Sequence, residues 1–122
     1  MRHDALRIED IEGHPSFVRL DAIAGIVFDL RYAGSNNFDG RVLYRGIDCA
    51  WLRVEAAEGL AQAAAWLARH HPGHRLLVLD ALRPQRVQEA IWVDVAGTPS
   101  ARYFADPARG SIHSFGMAVD VT

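Results

Sequence analysis

The alternation of apolar and polar positions predicts short strands in the first part of the chain. Residues 17–20 alternate apolar and polar side chains, and residues 27–32 do so again, as is typical of half-buried strands. Glycine, serine and asparagine at 34–37, followed by Asp39-Gly40, interrupt this pattern as turns.

A change to helical spacing marks the middle of the chain. The clearest helix is predicted over residues 54–70, an alanine-rich segment in which Leu60, Ala64 and Leu67 recur at helical spacing. Proline and glycine at 72–73 end it, since neither continues a helix.

The second half of the chain predicts a strand, a helix, a loop and a final strand. Residues 75–80 are a short apolar run bounded by turn residues, which indicates a buried strand. Pro84 suits the start of a second helix over 85–95, because the first helical N–H has no partner in the helix. Residues 97–110 are predicted to form a loop and residues 118–121 a strand. This order of elements indicates an α+β fold whose last strand pairs with an earlier one or lies at an edge.

Composition narrows the class of protein. The 122 residues are 50% hydrophobic and 23% charged, which suits one globular domain over residues 1–122. The net charge of −2, without a basic run, argues against nucleic acid as a partner, and no apolar run is long enough to imply a membrane partner. Residues 1–7 lack the apolar segment of a secretory signal, and Cys49 is the only cysteine, so we predict a cytoplasmic protein.

The segment 111–120, Ser-Ile-His-Ser-Phe-Gly-Met-Ala-Val-Asp, contains the strongest candidate for chemistry. Zinc binds imidazole nitrogen and carboxylate oxygen, and Gly116 allows the chain to turn so that His113 and Asp120 converge. Ser111 is placed to hydrogen-bond a substrate or a ligand. The segment therefore predicts two ligands of a catalytic zinc site, which normally has three protein ligands and one open position. A histidine and an aspartate at this spacing also occur by chance, so the bare pair is a weak signal.

The remaining histidines are the candidates within the chain for a substitute third ligand. Three of them stand at the predicted end of the first helix, where the helix dipole favours them in a structural or solvated role. The set is His3, His14, His70, His71 and His74.

Three separated segments, in collinear order, resemble the D-alanyl-D-alanine dipeptidase family (VanX type) of zinc D-Ala-D-Ala metallopeptidases. They are residues 29–40 (DLRYAGSNNFDG), residues 78–86 (VLDALRPQR) and residues 111–120. The resemblance extends over about residues 17–122. It implies the D-Ala-D-Ala metallopeptidase fold, which is similar to hedgehog and DD-peptidases, with helices packed on a mostly antiparallel sheet, here truncated.

The resemblance also implies an activity and the residues that carry it. It implies hydrolysis of D-Ala-D-Ala or a similar small dipeptide in cell-wall metabolism, with zinc as cofactor held by His113 and Asp120. Arg83 is implied to stabilise the oxyanion, a large catalytic effect for a fixed guanidinium. Ser111 and Tyr32 are implied to bind the dipeptide. Without the resemblance, Arg83 would be an ordinary salt-bridge residue at a helix start and Tyr32 a half-buried aromatic.

The sequence departs from the family in one respect. Members continue past the aspartate to a Glu-x-x-His segment that supplies the general base and the third zinc ligand, and no Glu-x-x-His occurs in these 122 residues. Three interpretations follow: an active dipeptidase completed by a second chain that supplies the C-terminal half, a degenerate member without hydrolysis, or a non-enzymatic module that keeps the dipeptide pocket. A missing base alone removes a factor of about 10²–10⁴ in rate. Because sheet edges and apolar surface would be uncovered, we expect residues 1–122 alone to associate with another chain or aggregate.

Overall fold

The computed structural model describes residues 7–122, in which two α-helices lie beside five short strands. The predictions made for the N-terminal residues 1–6, including the role of His3, lie outside this range. The strands are β1 (Phe17–Arg19), β2 (Ile26–Phe28), β3 (Trp51–Arg53), β4 (Leu76–Asp80) and β5 (Asp120–Val121), and the helices are α1 (Val54–His70) and α2 (Gln85–Val95). In this part of the chain, no helix has the length and apolar composition needed to cross a membrane.

The strands form two small sheets. β1 pairs with β3 in an antiparallel ladder, and the second sheet has the order β2-β4-β5. β2 runs parallel to β4, whereas β5 runs antiparallel to it. Two of the three pairings are therefore antiparallel, which confirms the predicted α+β fold with a mostly antiparallel sheet. The register of the last pairing places Asp120 opposite Asp80.

Helix α1 covers a core that both sheets share. It buries Ala57, Leu60 and Ala64 on one face, as its apolar spacing predicts, against side chains such as Leu52 and Val78 of the strands. The helix has the predicted bounds.

Helix α2 covers a second core, to which it contributes Val87, Ile91 and Val95. The buried side chains of this core are Tyr32, Tyr44, Cys49, Val87, Ile91 and Val95. The chain crosses between the two cores at residues 81–84, directly after β4. This crossing fixes where the site residues lie, because it joins the end of β4 to the start of α2.

The strand predicted over 27–32 is too long. β2 ends at Phe28, the Asp29 amide donates to the Val78 carbonyl (2.9 Å), and the Ala33 amide then bonds back to the Leu30 carbonyl (3.0 Å). Residues 31–33 therefore form a single 3-10 turn that carries Tyr32 into the second core. The alternation of apolar and polar residues continues through residue 32, so it could not show that the strand ends at Phe28 and that a 3-10 turn follows.

Two further boundaries differ from the prediction. β3 was not predicted, because three residues that run directly into α1 leave no separate pattern. The last strand begins at Asp120 instead of Ala118. The loop predicted at 97–110 contains two short 3-10 turns, Pro99–Tyr103 and Pro107–Arg109.

Candidate metal centre

Three of the predicted site residues meet beside the end of β4. Arg83 precedes α2, His113 opens a 3-10 turn over His113–Phe115, and Asp120 opens β5. Nε2 of His113 is 3.4 Å from Oδ1 of Asp120, and Nη2 of Arg83 is 3.9 Å from Oδ2 of Asp120. The main chain joins the same residues, since the Arg83 amide donates to the His113 carbonyl (3.1 Å).

The turn between His113 and Asp120 depends on Gly116. Gly116 has φ +74°, a left-handed conformation that costs a residue with a Cβ about 1–2 kcal/mol. A Cβ there would stand 3.1 Å from the Phe17 ring, and the Gly116 carbonyl accepts from the Arg53 amide (2.9 Å). The glycine therefore fixes the path that returns the chain to β5.

The imidazole of His113 is oriented by a main-chain carbonyl. Its Nδ1 lies 2.9 Å from the carbonyl oxygen of Ala81, which can only accept, so we assign the proton to Nδ1. In the neutral ring Nε2 then carries the lone pair and faces Asp120, whereas in the charged imidazolium Nε2 also carries a proton and can donate it to Asp120. A ligating histidine is commonly held in this way, with its other nitrogen donating to a carbonyl.

The two predicted ligands also interact electrostatically. Burial acts to lower the pKa of His113, but its hydrogen bonds with Asp120 and with the Ala81 carbonyl outweigh that effect and raise it. The hydrogen bond from His113 holds the pKa of Asp120 below its usual value. The Asp120 side chain is 56% exposed, so the pair opens to solvent on that side.

Asp80 is a site residue that sequence reasoning missed. Asp80, His113 and Asp120 each offer a ligand atom, and these atoms lie within 4.8 Å of one another, so the three form a possible metal site. Both oxygens of Asp80 already accept hydrogen bonds, Oδ1 from the Tyr44 hydroxyl (2.6 Å) and Oδ2 from Nη2 of Arg83 (2.7 Å). Oδ2 also lies 4.0 Å from Nδ1 of His113, the nitrogen that carries the proton. Asp80 is therefore primarily a hydrogen-bond partner of Arg83, and it is less well placed to bind a metal ion held by Nε2 of His113.

The charge on Asp80 is set by opposing influences. Burial raises the pKa of its carboxyl above the usual value, and the opposing effects of the Arg83 charge and the Tyr44 hydrogen bond offset this rise only in part. Burial likewise acts to lower the pKa of Arg83, but the Asp80 carboxylate outweighs it and the pKa rises. Arg83 therefore keeps its charge inside the protein.

The guanidinium of Arg83 is hydrogen-bonded on two edges and flanked by two aromatic rings. Arg83 is 4% exposed, and its Nη1 donates to Oε1 of Gln88 (2.8 Å). The Tyr32 and Phe104 rings lie 5.4 and 6.0 Å from its Cζ, within cation–π range. Gln88 in turn donates from Nε2 to the Ala105 carbonyl (2.6 Å).

The two predicted substrate-binding residues lie at different depths. Tyr32 is buried beside Arg83, and burial raises the pKa of its phenol to about 12. Ser111 is buried at the foot of the turn that carries His113, where its carbonyl accepts from the Ser114 amide (2.9 Å). Tyr44 also lies beside Asp80 and donates a hydrogen bond from its hydroxyl to Oδ1 of that carboxylate. The roles of Tyr32 and Ser111 in dipeptide binding stay predictions.

The other described histidines do not join the site. Within residues 7–122 the ligating groups that converge here are those of Asp80, His113 and Asp120. The substitute third ligands considered from sequence lie elsewhere: His14 accepts from the Ser16 amide, and His70, His71 and His74 are exposed at and beyond the end of α1. A third ligand from these four histidines is therefore excluded in this conformation.

The chain has an α+β fold, and its His113–Asp120 pair opens to solvent beside the buried Arg83. This combination fits the class of metal-dependent hydrolases. A family model described as D-ala-D-ala dipeptidase matches residues 15–122, so the chain belongs to the D-ala-D-ala dipeptidase family. The chain is also 33% identical over 94 residues to a D-alanyl-D-alanine dipeptidase of Escherichia coli (strain K12). That match covers 77% of this chain and 46% of the relative, so the chain spans about half the length of the curated relative. The family resemblance drawn from the three sequence segments is confirmed.

Proposed function

We propose that this chain carries the arginine and two metal ligands of a zinc dipeptidase that hydrolyses D-Ala-D-Ala or a similar small dipeptide. The observation that carries the proposal is the convergence of Arg83, His113 and Asp120 at one end of β4 in a member of this family. We place the activity in cell-wall metabolism, because D-Ala-D-Ala is the substrate that the family description names. The cytoplasm is our proposed location, because a single cysteine provides no disulfide framework.

The residues present fit zinc. Imidazole nitrogen and carboxylate oxygen are among its preferred ligands, and the Ala81 carbonyl already orients Nε2 of His113 toward Asp120. His113 and Asp120 would hold the ion, and the exposed side of Asp120 leaves room for substrate. Zinc bound there would supply Lewis acidity and lower the pKa of a water ligand.

Arg83 is the residue proposed to stabilise the oxyanion. Its guanidinium keeps N–H groups beyond those bonded to Asp80 and Gln88, and Nη2 stands 3.9 Å from Asp120. A cation held in place before the reaction stabilises developing negative charge without reorganising.

Tyr32 and Ser111 are proposed to bind the dipeptide, Tyr32 beside Arg83 and Ser111 beside the His113 turn. The Tyr32 phenol is protonated at neutral pH, so it can donate a hydrogen bond to a substrate oxygen. Ser111 adjoins the His113 turn and would contact the substrate near the metal.

A further chain segment or a second chain is proposed to supply the third ligand and the general base. A catalytic zinc normally has three protein ligands. Asp80, the third ligating group found here, has both oxygens engaged by Arg83 and Tyr44. A polypeptide that co-purifies with residues 1–122, detected by intact mass and light scattering, would support a second chain, and a stable active monomer of residues 1–122 alone would contradict both sources.

Zinc stoichiometry and D-alanine release test the proposed function together. The wild-type chain, His113→Ala and the matched control His74→Ala would be dialysed against zinc and assayed with D-Ala-D-Ala. His74 is an exposed histidine beyond α1, so its variant should bind zinc as the wild type does. Loss of zinc in His113→Ala alone is the expected result, and unchanged zinc there would refute the ligand assignment. Zinc binding without D-alanine release, even with the co-purifying chain, would favour a dipeptide-binding module over an enzyme.

A further inference from the structure

We propose that Gln88 is a positioning residue that fixes the Arg83 guanidinium and, with the other end of its amide, separately holds the segment 96–110. The catalytic consequence of this inference rests on the function proposed for Arg83, whereas the restraint itself does not. Gln88 lies in the first turn of α2 and its side chain is 0% exposed.

Asp80 alone restrains Arg83 incompletely. The hydrogen bonds from Nε (3.1 Å) and Nη2 (2.7 Å) both end on one oxygen, Oδ2, because Oδ1 is occupied by the Tyr44 hydroxyl. A guanidinium held by one acceptor atom can swing about that atom. A parallel two-oxygen pair would remove this freedom.

Gln88 provides the second point of attachment. Its Oε1 accepts from Nη1 of Arg83 (2.8 Å), which is the edge of the guanidinium that Asp80 does not reach. Because both edges of the guanidinium are held, its plane cannot rotate, and the N–H groups that bond to neither Asp80 nor Gln88 point in a fixed direction. Such pre-orientation is what an arginine needs if it is to meet an oxyanion without rearranging.

The other end of the same amide holds the segment that borders Arg83. Nε2 of Gln88 donates to the Ala105 carbonyl (2.6 Å), and the neighbouring Phe104 ring faces the guanidinium. A fully buried amide is costly unless both of its ends are bonded, and an apolar side chain would fill the space without that requirement. The arrangement therefore indicates a role beyond packing.

The chain offers a matched control in Gln85. Its Nε2 donates to the Pro107 carbonyl (3.0 Å), so it ties α2 to the same segment, but it has no hydrogen bond to Arg83. A variant at Gln85 thus weakens the segment without touching the guanidinium, while Gln88→Met removes both attachments with little change in volume.

The test compares wild type, Gln88→Met, Gln88→Glu and Gln85→Ala. Nitrogen-15 NMR of the metal-free chain would measure hydrogen exchange of the Arg83 N–H groups and of the amides of residues 104–110. kcat and KM for D-Ala-D-Ala would be measured on the zinc-loaded protein with any co-purifying chain. Gln88→Met should speed Arg83 exchange about tenfold or more and lower kcat about 10- to 100-fold with KM nearly unchanged.

Gln88→Glu separates the two attachments. It keeps an acceptor for Arg83 and loses the donor to Ala105, so Arg83 exchange should return to the wild-type rate while the amides of 104–110 exchange faster. Gln85→Ala should loosen the segment and leave both Arg83 exchange and kcat as in the wild type. If Gln88→Met does not fold, Gln88→Leu, which also lacks an acceptor for Nη1 of Arg83, takes its place, and wild-type exchange of the 104–110 amides in Gln88→Glu would refute the attachment to Ala105.

Two results would overturn the inference: wild-type Arg83 exchange in Gln88→Met, or faster Arg83 exchange in Gln85→Ala. The NMR measurement is independent of turnover. A wild-type protein that releases no D-alanine would therefore defeat the proposed function and leave the restraint by Gln88 to be decided by exchange alone.

Discussion

Asp80 and Asp120 face each other across β4 and β5 as register partners, with the Arg83 guanidinium beside both. Nη2 of Arg83 is 2.7 Å from an Asp80 oxygen and 3.9 Å from an Asp120 oxygen. Like charges directly opposite on paired strands destabilise a sheet. The arginine therefore holds together a pair of carboxylates that would otherwise repel each other.

Removal of the Arg83 charge should expose this repulsion. Arg83→Met leaves Asp80 buried without its cation, and we expect the free energy of unfolding at pH 7 to fall by about 3–5 kcal/mol. Asp80→Asn in the same background removes the stranded charge and should recover part of the loss. Urea unfolding of the two single variants and the double variant would measure the coupling. Strictly additive losses would show that the two side chains do not stabilise the fold as a pair.

Charge alone should not replace Arg83 in catalysis. Arg83→Lys keeps the positive charge but loses the planar fork that reaches Asp80 and Gln88, so the cation is no longer fixed. We expect kcat for D-Ala-D-Ala to fall about 10²–10³-fold while zinc stoichiometry is unchanged. Arg86→Lys is the control, because Arg86 binds Glu9 at the surface (2.8 Å) and should keep full activity. Equal kcat in Arg83→Lys and wild type would argue against the oxyanion role.

The turn that carries His113 should tolerate no side chain at Gly116. Gly116→Ala combines a left-handed backbone with a contact of 3.1 Å to Phe17, so we expect it to cost about 2 kcal/mol of stability and to weaken zinc binding. Gly73→Ala has the same kind of backbone, φ +89°, with no atom within 4 Å of the new Cβ. It should lose about 1 kcal/mol and bind zinc normally. Thermal unfolding of both variants would measure the loss of stability, and zinc titration would show whether only Gly116→Ala, at the turn that carries His113, weakens metal binding. Equal zinc affinity in the two variants would contradict this role for the turn.

The two helices and the approach of His113 to Asp120 were the parts that the sequence could predict. α1 and α2 were predicted with their observed bounds, because apolar spacing, Pro84 and the Pro72-Gly73 pair mark where each helix begins or ends. Family motifs named Arg83, His113 and Asp120. The β4–β5 register places Asp120 beside the strand end that leads to Arg83, and the Arg83 amide joins the His113 carbonyl. The assignment of these residues as catalytic group and zinc ligands stays a prediction.

The supporting residues could not be predicted, because their partners are distant in sequence. Asp80 ends a strand, Tyr44 lies in a loop, and Gln88 lies in a helix. No local sequence pattern distinguishes any of the three from ordinary residues of its type. The available signal was the position of Asp80 in the motif just before Arg83, where a carboxylate at the end of an apolar run needs a partner. Tyr44 and Gln88 acquire their roles only when the two cores close around that pair.

The stability of the protein at high pH should report on Tyr32. Burial raises the pKa of the Tyr32 phenol from 10.0 to about 12, so the folded protein holds this proton more tightly than the unfolded chain does. The resulting stabilisation is complete below pH 10 and is lost as the pH rises toward 12. Wild type should lose about 2 kcal/mol more than Tyr32→Phe over that interval, measured by urea unfolding at steps of pH. Parallel pH profiles for the two proteins would show that the phenol ionises freely in the folded state, and Tyr32 would then be too exposed to act as a fixed donor beside Arg83.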